Sequence, residues 1–182
     1  MSAWFSAWIL KLLGWKVLGI ERISSLPQYV VIVAPHTSNW DFPLGILVRT
    51  AFHLQKIRFL GKASLFRFPF GWIFRALGGF PVQRDKSHNL VESYVKVFQT
   101  NSDFAIVIAP EGTRKKVDHF KTGFYYIAKG ADIPIVLCKF DYHKRVVDFM
   151  EVFVPGTDES ADLAYIESRF RGARGKNSEY NF

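Results

Sequence analysis

"YVVIVAPHTSNWDFPLG", residues 29–45, joins two apolar runs through a polar hinge. The run 29–34 has the β-branched density of a buried strand. The run 42–54 reads as a helix. Between them lies a proline-bracketed loop holding a histidine, two hydroxyls, an amide and an aspartate. A buried strand passing to a helix through such a loop is the repeating unit of an α/β fold. Loops at the ends of buried strands are also where those folds keep their chemistry.

The same alternation extends to both sides. Residues 57–60, 104–109, 133–140 and 146–154 read as strands, and 80–84 as an extended segment. A short proline-ended helix is expected within 61–69 and a second apolar one at 71–77. Residues 87–99 read as an amphipathic helix, with Val91, Val95 and Phe98 on one face and Ser87 as its cap. A further helix, 121–129, closes at Gly130. The basic C-terminus, with Arg169, Arg171, Arg174 and Lys176, reads as a helix followed by a frayed tail. No repeat or low-complexity linker divides the chain. The expectation is an α/β single domain, a mostly parallel central sheet covered by helices on both faces.

Residues 3–20 are apolar apart from Lys11 and Lys16, which fall about 140° apart on a helical wheel. A lysine near the centre of a bilayer span costs about 2.5–3.5 kcal/mol, and no basic leader or small-residue cleavage site is present. Residues 1–22 are therefore read as an N-terminal membrane-associated helix dipping into one leaflet from the cytoplasmic side, with both lysines reaching the headgroups. The alternative is a helix buried on the domain formed by 23–182.

The 182 residues carry 24 basic and 16 acidic side chains, a net charge of +8. That surplus suits a polyanion: nucleic acid, anionic lipid or a phosphorylated or nucleotide-bearing substrate. The cations are scattered and no nucleic-acid-binding signature is present, so no nucleic acid partner is expected. Aromatic residues make up 16% of the chain, which fits an apolar ligand, a membrane face or an aromatic-rich core. Cys138, the single cysteine, lies in an apolar run as a buried thiol, and no metal site is expected.

Two clusters carry the chemistry. His36 and Asp41 are five positions apart, and on a continuous helix they would point away from each other. Pro35 disfavours helix before it, and Ser38 or Asn39 can cap a helix starting near Trp40. A turn between them would bring Asp41 back toward His36, where a carboxylate on one imidazole nitrogen makes the other a general base. Otherwise, His36 bonds only its loop and Asp41 is an ordinary first-turn acid. The second cluster, Pro110-Glu111-Gly112-Thr113-Arg114, also follows a buried strand. Its glycine permits close backbone approach and its arginine offers a planar fork for phosphate. Arg84 is a second such fork. The chain has no G-x-S-x-G elbow, P-loop or G-x-G-x-x-G, and the other four histidines are isolated.

With these motifs in place, the chain resembles the 1-acylglycerol-3-phosphate acyltransferase (lysophospholipid acyltransferase) family. His36-Thr-Ser-Asn-Trp-Asp41 matches that family's first motif, His-x4-Asp. Gly79-Phe-Pro-Val-Gln-Arg84 loosely matches the second, Glu111-Gly-Thr-Arg114 matches the third in full, and Ile133-Pro-Ile-Val-Leu137 matches the fourth. The four occur in the family order, from about residue 28 to residue 140. Lys115 replaces a frequent serine, and Cys138 to Asp141 replace a second proline. These departures bear on the acceptor rather than on acyl transfer.

The resemblance implies an O-acyltransferase of phospholipid synthesis. His36 would take the proton of an acceptor hydroxyl, most simply that of 1-acylglycerol-3-phosphate, with Asp41 orienting the imidazole. Arg84, Glu111, Gly112, Thr113 and Arg114 would hold the headgroup. The acyl group would come from acyl-CoA or acyl-acyl carrier protein as co-substrate, with membrane lipid as the other partner and no bound cofactor. The aromatic run 66–80 would wall an acyl channel. Two competing readings are a non-catalytic membrane-surface lipid-binding protein and a hydrolase using the same pair on water.

Overall fold

A computed structural model describes residues 2–82 and 90–180. Its centre is a seven-stranded sheet: β1 (Lys16–Leu18), β2 (Gln28–Ala34), β3 (Ile57–Lys62), β4 (Gly79–Val82), β5 (Phe104–Ile108), β6 (Ile135–Asp141) and β7 (Val146–Phe153). The spatial order is β1-β7-β6-β2-β5-β3-β4. Strands β6, β2, β5, β3 and β4 are mutually parallel, whereas β7 runs antiparallel to β6 and takes β1 with it in parallel. The expected α/β domain with a mostly parallel sheet is therefore present.

The near-continuous apolar character of β2 follows from burial on both faces. Val30, Ile32 and Ala34 join one core with Ile106, Leu137 and Phe124, while Tyr29, Val31 and Val33 join a second with Leu44, Val136 and Phe149. The first core lies under α4 (Leu90–Thr100), α5 (Gly123–Ala131) and α6 (Glu159–Phe170). The second lies under α1 (Ala3–Leu12) and α2 (Asp41–Ala51). The short α3 (Gly71–Ala76) links β3 to β4.

The chain leaves β2 through α2 on one face and leaves β5 through α5 on the other. Adjacent strands whose crossovers depart to opposite faces create a crevice at their carboxyl ends, the usual ligand position in such sheets. Ile32 pairs in register with Ile108, so the loops after β2 and β5 leave the sheet side by side.

The N-terminal segment differs from the expectation of one helix over 3–20. The helix stops at Leu12, and residues 16–18 form the edge strand β1. Gly14 adopts φ +72°, the Gly14 N–H donates to Lys11 O and the Trp15 N–H donates to Leu10 O. These are the paired bonds of a glycine-terminated helix end. Helix α1 packs on α2 through a face containing the buried Ser6 and Leu10, and leaves Trp4, Phe5, Trp8 and Leu12 exposed. No helix among the described residues is long and apolar enough to cross a membrane.

Candidate active site

The loop after β2 turns back on itself, as its sequence suggested. Ser38 Oγ accepts from the Trp40 N–H at 3.2 Å, and the Ser38 N–H donates to Asp41 Oδ2 at 3.0 Å. The pair closes the turn before α2 and fixes the Asp41 carboxylate under the loop; the cap position itself falls to Trp40, with no side-chain cap bond, rather than to the expected Ser38 or Asn39. His36 Nδ1 lies 2.9 Å from the same Oδ2. Tyr142, just beyond β6, donates its O–H to Asp41 Oδ1 at 2.8 Å. Asp41 is only 5% exposed, and these three donors satisfy a charge that burial alone would penalise. With Nδ1 donating to the carboxylate, Nε2 is left as the basic nitrogen.

Glu111, in the loop that follows β5, is 2% exposed. Its Oε2 accepts from the His36 backbone N–H at 2.7 Å. Burial pushes its carboxyl up to about 7, with the His36 hydrogen bond pulling the other way. The sequence grouped Glu111 with the headgroup residues; the fold turns it inward onto the histidine loop. Gly112 follows at φ +65°, and the Lys121 side chain lies close enough that a Cβ there would come within 2.9 Å of Nζ. Thr113 Oγ1 accepts from the Lys115 N–H at 3.3 Å. Arg114 is exposed. Arg84 lies outside the described residues.

A cavity of about 200 Å³ lies between α2 and the sheet. His36 and Asp41 form part of its lining, with apolar walls from Val33, Phe59, Cys138 and Phe149. Gly45, in the interior of α2, also faces it, and a Cβ at that position would meet nothing within 4 Å. The aromatic run 66–80 contributes only Leu77. The run does not wall this cavity: Phe66 is buried, while Phe68, Phe70 and Trp72 are exposed. Aliphatic and aromatic residues from the sheet itself supply the wall instead.

The C-terminal tail, expected to fray, is fastened to this loop. The Asn177 N–H donates to Thr37 Oγ1 at 3.1 Å and Asn177 Nδ2 donates to Thr37 O at 2.9 Å. Lys176 Nζ stands 4.5 Å from the centre of the Trp40 ring. Sequence reading missed Tyr142 and Asn177. Tyr142 had one legible signal, its place at the carboxyl end of the strand that neighbours β2; Asn177 had none.

Residues 15–140 match the model of the Acyltransferase family. The chain belongs to the Acyltransferase family. The first and third motifs follow β2 and β5, the fourth enters β6, and the described part of the second, Gly79–Val82, is β4; the match runs from β1 almost to the end of β6. The 1-acyl-sn-glycerol-3-phosphate acyltransferase of Streptococcus pneumoniae is 29% identical over 132 residues, 69% of this chain and 48% of that protein. The chain therefore spans about half the length of this curated relative. The crystal structure of the 1-acyl-sn-glycerophosphate acyltransferase of Thermotoga maritima aligns with a TM-score of 0.63 at 19% identity, over 92% of this chain and 74% of that one. That likeness shows a shared fold.

Proposed function

We propose that this acyltransferase-family chain moves a fatty acyl group from acyl-CoA or acyl-acyl carrier protein to the free hydroxyl of a lysophospholipid, with 1-acylglycerol-3-phosphate as the preferred acceptor. The observation that carries the reading is the His36–Asp41 contact of 2.9 Å on the lining of an apolar cavity. His36 Nε2 accepts the hydroxyl proton as the acceptor oxygen attacks the thioester carbonyl. Asp41 stabilises the imidazolium that forms. The tetrahedral intermediate then collapses, the C–S bond breaks, and the departing thiolate takes the proton back from His36. The acyl chain occupies the cavity beneath α2.

Arg114, with Arg84 of the second motif, grips the acceptor phosphate through planar forks, and the Gly112–Thr113 turn lets the headgroup approach the backbone. Glu111 serves the headgroup indirectly, by holding the His36 loop. The exposed Trp4, Phe5, Trp8 and Leu12 of α1 rest in one leaflet, and the net charge of +8 suits the anionic cytoplasmic surface.

The test is a purified-protein assay with an acyl thioester and 1-acylglycerol-3-phosphate in vesicles. Diacyl product is expected, lost in His36→Ala and reduced at least about a hundredfold in Asp41→Asn. Free fatty acid instead of diacyl product identifies a hydrolase. Lipid bound with the thioester unchanged identifies a binding protein.

A further inference from the structure

The Asp41 carboxylate is shared. Oδ2 faces the His36 imidazole, and Oδ1 accepts from the Tyr142 phenol at 2.8 Å. Burial and the neighbouring Asp41 raise the Tyr142 hydroxyl far above its ordinary value, so it remains a proton donor at every working pH. The phenol is held from two further directions. Trp15 meets its ring edge-on, with centroids 4.9 Å apart, and the Tyr142 backbone N–H donates to Arg174 O at 2.8 Å. That carbonyl begins the segment whose Asn177 grips Thr37 through two bonds. Gly175, between them, packs so closely on Thr37 that a Cβ would collide with its side chain. Tyr142 and residues 174–177 all lie beyond the family match, which ends at residue 140. A part of the chain outside the shared motifs therefore grips both the histidine loop and the carboxylate.

We propose that Tyr142 is a positioning residue for the His36–Asp41 pair, locked in place by the C-terminal strap, and that its phenol sets how much negative charge Asp41 presents to the imidazole. This rests on the general-base reading above. A hydrogen bond donated to Oδ1 draws charge from Oδ2 and weakens its hold on the imidazolium proton. Without that bond, the carboxylate holds the proton more tightly. Among the described residues, Glu111 sits on the His36 backbone N–H, Lys176 is engaged with Trp40, Arg49 lines the same cavity with its guanidinium on Ile57 O and Gln55 O, and Cys138 lines it as a buried thiol. The hydrogen bond to Oδ1 comes from the phenol, so Tyr142 acts on the carboxylate separately from these groups.

The experiment is an NMR titration of the His36 ring, its signal assigned by loss in His36→Ala, in the wild-type chain and in Tyr142→Phe. The midpoint should rise by about 0.5–1 pH unit in Tyr142→Phe, a three- to tenfold tighter hold on the proton. The acidic limb of kcat/KM should move the same way, with kcat down about tenfold and KM little changed. As a second variant, site-specific 3-fluorotyrosine at position 142 retains the ring and is a stronger donor; the midpoint should fall. An unchanged midpoint in either variant overturns the inference. A shifted midpoint in a chain that makes no diacyl product upholds the coupling and overturns the acyl-transfer reading instead.

Discussion

The backbone N–H of His36 donates to the Glu111 carboxylate across 2.7 Å, although 75 positions separate the two residues in sequence. The bond forms because β2 and β5 are adjacent and in register, so their loops emerge level. It makes the first and third motifs one unit: the glutamate of one sets the backbone that carries the histidine of the other.

The burial of Glu111, which outweighs that bond, gives the fold a pH dependence. The Glu111 carboxyl is raised from 4.5 to about 7 in the folded chain, so the native state binds this proton more tightly than the unfolded state. Its contribution is complete below about pH 4.5 and is lost as pH rises toward 7. Glu111→Gln keeps an acceptor for His36 and does not titrate. Denaturant unfolding at pH 5 and at pH 7.5 should show the wild type losing roughly 1–3 kcal/mol more than the variant between the two conditions.

Gly45 separates stability from cavity space. A Cβ there meets nothing within 4 Å, so Gly45→Ala should stabilise the interior of α2 by about 0.5–1 kcal/mol, visible as a higher Tm. Gly45→Phe places a ring in the cavity lined by Phe59 and Cys138. Turnover with long acyl donors should fall at least about tenfold relative to short ones, as an acyl-length series would record.

Arg114 tests the acceptor. It is exposed beside Thr113 and Gly112, and lysine there keeps the charge while losing the bidentate fork. Arg114→Lys should raise KM for 1-acylglycerol-3-phosphate about tenfold and leave an uncharged monoacylglycerol unaffected. Initial rates on the two acceptors provide the comparison.

For the N-terminus, substitution is a cleaner test than deletion. Removing the first nineteen residues would take β1 from the sheet together with α1. Trp4 and Trp8 are exposed, at 75% and 48%, so replacing both with Asp should leave Tm nearly unchanged. Sedimentation with anionic vesicles should show partition reduced by about tenfold or more.

Much of the site was legible because its signals are local. The run 29–34 is apolar throughout because both faces of β2 are buried, and the proline, serine and aspartate that turn the next loop lie within a few residues of His36. The differences arise where tertiary partners decide. The apolar character of residues 3–20 suits a helix as well as a strand; Gly14 in a left-handed conformation ends the helix, and pairing of Lys16 with Val146 draws residues 16–18 into the sheet. Glu111 has the same spacing to Arg114 whether it faces a headgroup or a backbone amide. The grip of Asn177 on Thr37 spans 140 positions, and no local pattern announces it.

The place of β1 has a consequence for how the protein is made. It is an edge strand against β7, and β7 follows the other six described strands in sequence. Translation therefore produces the tryptophan-bearing helix well before the sheet edge that β1 joins. Throughout that interval α1 can pack on α2, whereas β1 behind it has no pairing edge. An edge strand that emerges early and pairs late leaves this side of the sheet to close after the rest of the sheet is in place.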